Sequence, residues 1–82
     1  MDNEFTAAQI AAVRNVFSLV GYVGELRVFS PLGTDEYIFV LPRGFGLVDP
    51  HPPSQVIGQV LGRKVWIVED GENVPATVGF AG

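Results

Sequence analysis

Four side chains suited to acid–base or hydrolytic chemistry lie close together in the sequence: Arg43, Asp49, His51 and Ser54. A carboxylate, an imidazole and a hydroxyl are the groups of a nucleophilic triad, but a triad is defined by geometry and not by order along the chain. Ser54 also lacks the Gly-x-Ser-x-Gly pattern that exposes a nucleophile at a strand-to-helix turn. We therefore predict no catalytic residues and no enzyme activity. An enzyme would have to depend on Asp49 and His51.

His51 lies between Pro50 and Pro52. A residue before proline is restricted to extended backbone conformations, so this pattern predicts an exposed loop histidine. The same segment, residues 49–53, is also a candidate for recognition by a protein partner, because a pre-ordered extended chain loses little entropy on binding.

Cofactor and metal sites are not predicted. The chain has one His and no Cys, which excludes a closed zinc site built on these ligands. Gly44-Phe45-Gly46 resembles the beginning of a phosphate-binding loop, but no third glycine follows at the required spacing and no Lys-Ser or Lys-Thr pair is present.

Charge and hydropathy predict that neither nucleic acid nor a membrane is a partner, with a local basic patch at Arg63-Lys64 as the one alternative for nucleic acid. The net charge is −4, and the five basic residues are spread along the chain, so no concentrated positive field is available for nucleic acid. No uninterrupted apolar run of membrane-spanning length is present, which predicts no membrane partner. Residues 1–4 lack the basic beginning of a signal peptide, so the expected location is cytoplasmic.

The first element is a helix over residues 7–20, and Thr6 and Gln9 fit the capping-box pattern at its beginning. Apolar residues recur at three- and four-residue steps and predict the buried stripe Ile10, Val13, Phe17 and Val20. The opposite face is small and nearly uncharged, and it is a candidate interface: Ala8, Ala11, Ala12 and Asn15. The alternative explanation for these alanines is that alanine has the highest helix propensity, in which case the face has no binding role.

Two alternating segments, residues 25–29 and 36–41, predict a hairpin around the turn at residues 30–34. Pairing Phe29 with Glu36 places Val28 opposite Tyr37 and gives one wholly apolar face, so this register is expected. The connection 42–53 is too rich in Gly and Pro for a helix or a central strand. A short helix over residues 55–61 follows, capped by Ser54 and ended by Gly62, with a strand as the alternative.

The last third predicts a second hairpin. Residues 64–69 lead into Asp70-Gly71, a typical two-residue turn, and residues 72–80 return. Pro75 lacks a backbone donor and is tolerated at the edge of a sheet, so residues 73–80 are expected at an edge. This uncharged strand is a template for another chain, and its candidate interface residues are Val74, Ala76, Val78 and Phe80.

These elements predict a single α+β domain over residues 1–82, in the order α-β-β-(α)-β-β. Its N-terminal helix packs on an antiparallel sheet of about four strands. The second sheet face is more apolar than a chain of this size can cover, since it carries Phe29, Ile38, Val40, Trp66 and Val68. A second copy would bury this area, so the predicted function is a small, non-catalytic, homo-oligomeric interaction module. A dimer is favoured, and another protein is the second possible partner.

The alternative function is binding of a small apolar molecule, in a pocket between helix and sheet or between subunits. The residues expected to set its specificity are Trp66, Tyr37, Arg43 and His51.

Overall fold

The computed structural model describes residues 5–31, 33–47, 49–72 and 74–80, and these form two helices and four strands. The elements are α1 (Ala7–Leu19), β1 (Arg27–Phe29), β2 (Tyr37–Leu41), α2 (His51–Leu61), β3 (Val65–Glu69) and β4 (Val78–Gly79). The strands form one sheet in the order β3-β2-β1-β4. The predicted α+β class is confirmed, and so is the position of the last strand at an edge.

Helix α1 begins as its sequence predicts. Thr6 Oγ1 accepts a hydrogen bond of 3.1 Å from the Gln9 backbone N–H, and Gln9 Oε1 accepts one of 2.8 Å from the Thr6 N–H. Two backbone donors that the first turn leaves without partners are thereby satisfied. The helix ends at Leu19, and its predicted stripe faces the core, with Val13 and Phe17 fully buried.

Replacement of Thr6 by Ala tests this cap. We expect Thr6→Ala to lower the free energy of unfolding by about 1 kcal/mol, because one N–H loses its acceptor. Ser18→Ala, an exposed hydroxyl in the last turn of the same helix, is the matched control and should cost nothing measurable. Urea denaturation followed by circular dichroism measures both, and equal midpoints for the two variants would contradict the assignment.

The hairpin of β1 and β2 is antiparallel as predicted, but its predicted register is wrong. Phe29 pairs with Ile38, and Val28 pairs with Phe39, two residues beyond the expected partners. The turn is longer because Ser30 Oγ donates to the Glu36 carbonyl and Thr34 Oγ1 donates to the Pro31 carbonyl. A two-residue shift preserves the side-chain faces, so the apolar face survives the error.

Helix α2 begins at His51, earlier than the predicted residue 55. Pro52 and Pro53 lie in its first turn, where no backbone N–H is required, and Asp49 Oδ1 accepts a bond from the His51 N–H. The extended conformation predicted at His51 is therefore wrong. The predicted end is confirmed, since Gly62 adopts the left-handed conformation, with φ of 70°.

The second predicted hairpin is also wrong, so the sheet is mixed rather than antiparallel. Strand β3 pairs in parallel with β2, from Tyr37 opposite Val65 to Leu41 opposite Glu69, and β4 pairs with β1. Two parallel strands require a long crossover, and α2 with its flanking loops supplies one. The chain that follows β3 at Asp70 and Gly71 therefore crosses the sheet and reaches β4 at the opposite edge. The predicted strand 73–80 is reduced to Val78–Gly79, and Asn73 lies outside the described residues.

Both helices lie on the same face of the sheet, and the core fills the space between them. Phe39 is at its centre, with ring centroids 5.4 Å from Phe17 and 5.0 Å from Phe80. The core cluster is formed by Val13, Phe17, Leu26, Val28, Phe39, Leu41, Ile57, Leu61, Val65, Ile67 and Phe80. Within the described ranges, neither helix has the length and apolarity needed to cross a bilayer.

Candidate functional site

The polar residues around the beginning of α2 stabilise the helix and do not form a triad. Asp49 Oδ1 accepts from the His51 backbone N–H at 3.1 Å, and the Ser54 hydroxyl donates to the His51 carbonyl at 2.8 Å. The His51 ring lies 3.1 Å from the Gln55 amide nitrogen. These bonds run to the backbone or to Gln55, not from one of the three side chains to another. The N-cap of α2 is Pro50, and Ser54 lies within the first turns of the helix, so the predicted cap at Ser54 is wrong.

No group of three His, Cys, Asp or Glu side chains within the described residues is placed to hold a metal ion.

Tyr22 has a raised pKa, but its contacts are those of a side chain that stabilises the fold. Its ring packs edge-on against Phe17 and Phe45, and its hydroxyl donates to the Glu25 carbonyl. Burial raises the pKa of the Tyr22 phenol, and the Glu25 carboxylate raises it further, so the hydroxyl remains a donor at neutral pH.

The four residues predicted to bind a small molecule do not converge. Tyr37 is on the helix-covered face, 5.5 Å from the Phe5 ring centroid, whereas Trp66 is on the opposite face of the sheet. Arg43 is exposed in the turn after β2. His51 and Trp66 line one surface groove, described below.

The space between helices and sheet is filled by fully buried side chains, among them Val13, Phe17 and Ile57. Binding of a small apolar molecule, in a pocket between helix and sheet or between subunits, stays a prediction.

The side of the sheet away from the helices is apolar, and we call it the open face. Residues directly opposite on neighbouring strands point to the same side, so Phe29, Ile38 and Trp66 form one row across β1, β2 and β3. Arg27, Val40 and Val68 form the next row. Trp66 is 46% exposed and Val68 is 37% exposed, although both lie in regular strands of the sheet.

One end of the open face is covered by the chain itself. Val40 is only 6% exposed, and it lines a cavity of about 470 Å³ together with residues 74–77. Arg27 anchors this passage, since its Nε donates to Thr77 Oγ1 at 2.6 Å. The uncovered part of the open face is therefore the part that contains Trp66 and Val68.

The Trp66 side chain is held in one orientation. Its Nε1 donates to Glu36 Oε1 at 2.5 Å, and the Lys64 ammonium lies 4.9 Å from the centre of its ring. A large amphipathic ring that is already ordered loses little conformational entropy when a partner covers it. Trp66 thus has the properties of an interface anchor.

Strand β3 is an outer strand, and alternate residues direct their backbone groups to its free side. The Lys64 carbonyl accepts from the Tyr37 N–H at 2.9 Å, and the Asp70 N–H donates to the Leu41 carbonyl at 2.8 Å. These even-numbered residues face β2, so the N–H and C=O groups of the odd-numbered residues face away from it. The outward residues are Val65, Ile67 and Glu69.

A groove of about 490 Å³ runs beside this free edge, and we call it the edge groove. On one side it is lined by polar residues of α2, one helical turn apart: His51, Gln55 and Gln59. Its other side is formed by residues 63–66, at the beginning of β3.

The Ala-rich face of α1 lies mainly at the surface, opposite the buried stripe, as predicted. Ala8, Ala11 and Asn15 are exposed, and Ala12 is partly buried. Its role as an interface stays a prediction.

The other predicted interface set is divided by the structure. Val78 is exposed on the outer strand β4, and Val74 and Ala76 precede it in the passage along the open face. Phe80 is buried in the core against Phe39 and Phe5 and does not present its ring at the surface.

Sequence reasoning missed the free edge of β3, because it paired this strand with the last one. A signal was nevertheless present. The apolar residues 65–68 are preceded by Arg63 and Lys64 and followed by Glu69 and Asp70. Opposite charges stabilise a strand pair when they face each other across it.

Comparison of the chain with protein-family models, with curated protein sequences and with solved structures found no significant match. The functional argument is therefore based on the geometry of the open face and of the β3 edge.

Proposed function

We propose that this chain is a small, non-catalytic protein-interaction module that works as a homo-oligomer, with a dimer favoured, and that the sheet supplies its contact surface. The observation that carries the proposal is the open face, where Trp66 and Val68 are exposed beside Phe29 and Ile38. Both helices already lie on the other face, and residues 74–77 cover only the end around Val40.

The energetic basis is burial of apolar surface, which contributes about 25 cal/mol for each Å² removed from water. Two of the charged groups on this side of the sheet already have partners, since Glu36 accepts from the Trp66 indole and Arg27 donates to Thr77. Lys64 and Asp70 lie just outside the two ends of β3, so a partner can cover Trp66 and Val68 and leave these two charges at the border of the contact.

The single tryptophan makes the proposal directly measurable, since the chain contains no other. We expect sedimentation equilibrium to show a monomer–dimer equilibrium in the micromolar range. Trp66 emission should shift to shorter wavelength over the same concentrations, because association removes the indole from water. A monomer at high micromolar concentration would refute the proposal.

Two variants identify the surface. Val68→Lys places a charge on the open face and should weaken association, whereas Ala11→Glu places one on the exposed face of α1 and should leave association unchanged. Trp66 is retained in both variants, so fluorescence remains available. Two outcomes would contradict the sheet as the contact surface: dimers that form without a change in Trp66 emission, and dimers that Ala11→Glu disrupts. Either outcome would assign association to helix α1.

A further inference from the structure

The charges at the ends of β3 are arranged so that the strand complements an antiparallel copy of itself. Lys64 precedes the strand and Asp70 follows it, and both direct their side chains to the open-face side, like Trp66 and Val68. Among the described residues neither of the two has an ion-pair partner. A parallel copy would place like charges side by side, whereas an antiparallel copy places opposite charges together.

From this complementarity and the free backbone groups of the edge, we infer that the second copy binds at the β3 edge. The two β3 strands are antiparallel, with Ile67 of one copy opposite Ile67 of the other, and the two sheets become one. The inference rests on the proposed function, because it presupposes a homodimer, and it specifies the edge and the register.

Backbone geometry restricts the register, and the side chains select it. The outward N–H and C=O groups belong to Val65, Ile67 and Glu69, so only these residues of the two copies can exchange hydrogen bonds. In the inferred register Val65 of each copy pairs with Glu69 of the other, and Ile67 pairs with itself. On the open-face side, Lys64 then faces Asp70 of the other copy, and Trp66 faces Val68. A shift of two residues would place Lys64 opposite Val68, or Trp66 opposite Asp70, and would lose these contacts.

The edge groove lies beside the beginning of β3 and has space for the residue that pairs with Val65. Residues opposite Val65 point to the helix side of the sheet, so Glu69 of the second copy enters the groove beside Gln55, Gln59 and Arg63. Amide and guanidinium donors are suitable partners for a carboxylate. In the single chain the Glu69 carboxylate accepts only a long bond of 3.4 Å, from the Gly46 N–H, among the described residues.

Charge reversal at the two positions tests the pairing. Lys64→Asp places two carboxylates together at both ends of the joined strands, and Asp70→Lys places two ammonium groups together there. We expect each variant to dimerise about tenfold more weakly than the parent chain. An equimolar mixture should recover the affinity as a heterodimer, because opposite charges then meet at both ends. At one end the two substituted residues face each other, and at the other end the unchanged Asp70 of one variant faces the unchanged Lys64 of the other.

Sedimentation equilibrium gives the affinities, and native mass spectrometry gives the composition of the mixed dimers. Arg43→Asp and Glu72→Lys are the matched controls, because they make similar charge changes at exposed positions away from the pairing. Recovery in the mixture, with unchanged controls, supports the inference.

Three results would overturn the inference. If both reversed variants dimerise like the controls while Trp66 still becomes buried, the β3 pairing is wrong and the proposed function stands, with the open faces packed on each other. If the mixture stays as weak as its components, the charges do not meet across the interface. A parent chain that remains monomeric refutes both the pairing and the proposed function.

Discussion

Replacing Phe39 by Ala is expected to lower the free energy of unfolding by about 3–5 kcal/mol. Phe39 is 1% exposed on the central strand β2, and its ring contacts those of Phe17 and Phe80. Removing the ring loses its transfer free energy and also leaves a cavity between α1 and the sheet, where neighbours held by both elements cannot collapse. A domain of this size is stabilised by about 4–12 kcal/mol in total, so the variant should be close to unfolding at room temperature.

Phe29→Ala is the matched control for Phe39→Ala. Phe29 has the same side chain in the neighbouring strand, but it is half-buried on the open face. We expect it to cost about 1–2 kcal/mol, because its removal opens no enclosed cavity. Guanidinium denaturation of both variants at one protein concentration makes the comparison. Equal losses would show that Phe39 is not at the centre of the core.

Gly58→Ala is expected to destabilise the protein by about 1–3 kcal/mol, although glycine-to-alanine changes inside helices usually stabilise. Gly58 lies in α2, and a Cβ there would come within 2.8 Å of the Arg63 carbonyl oxygen. The approach is close because the chain turns back tightly after α2, with the Gly62 and Arg63 N–H groups both donating to the Gly58 carbonyl. The obstructing atom belongs to the backbone, so relief requires α2 to move away from β3.

The control for Gly58→Ala is Gln59→Ala, at the next and exposed position of the same helix, which should change stability by less than about 0.5 kcal/mol. Thermal unfolding followed by circular dichroism measures both variants. A higher melting temperature for Gly58→Ala would mean that α2 and the beginning of β3 are farther apart than the structure shows.

The two proposals concern neighbouring surfaces. Pairing of the β3 edges would place Trp66 of each copy against Val68 of the other, so that each of these exposed side chains covers part of its neighbour. This contact would supply the burial of the indole that the proposed function predicts.

Short-range sequence patterns predicted a large part of the fold. The Thr6 and Gln9 pair predicted the beginning of α1, and Gly62 predicted the end of α2, because a cap depends on residues a few positions apart. The inward positions of Val28 and Phe39 were also predictable, since alternation has a period of two and survives the two-residue error in register.

The candidate site was predictable only in part. The apolar composition of the open face follows from alternation in β1, β2 and β3, so Trp66 and Val68 were recognised from sequence as surface in need of cover. The free edge of β3 was missed. Asp70-Gly71 is a favourable hairpin turn, and nothing within a few residues of it indicates that the chain instead crosses to the far side of the sheet.

The sequence by itself therefore determined the beginning of the first helix, the end of the second, the apolar faces, the α+β class and the last strand at an edge. Only the tertiary structure decided that β3 lies parallel to β2, that β4 lies beside β1, and that Lys64 and Asp70 border an unpaired edge. The physical reason is the separation along the chain of the residues that interact. Caps and alternation are set by neighbours in the chain, whereas strand order depends on how α2 packs as a crossover on the sheet, and that requires contacts between distant residues.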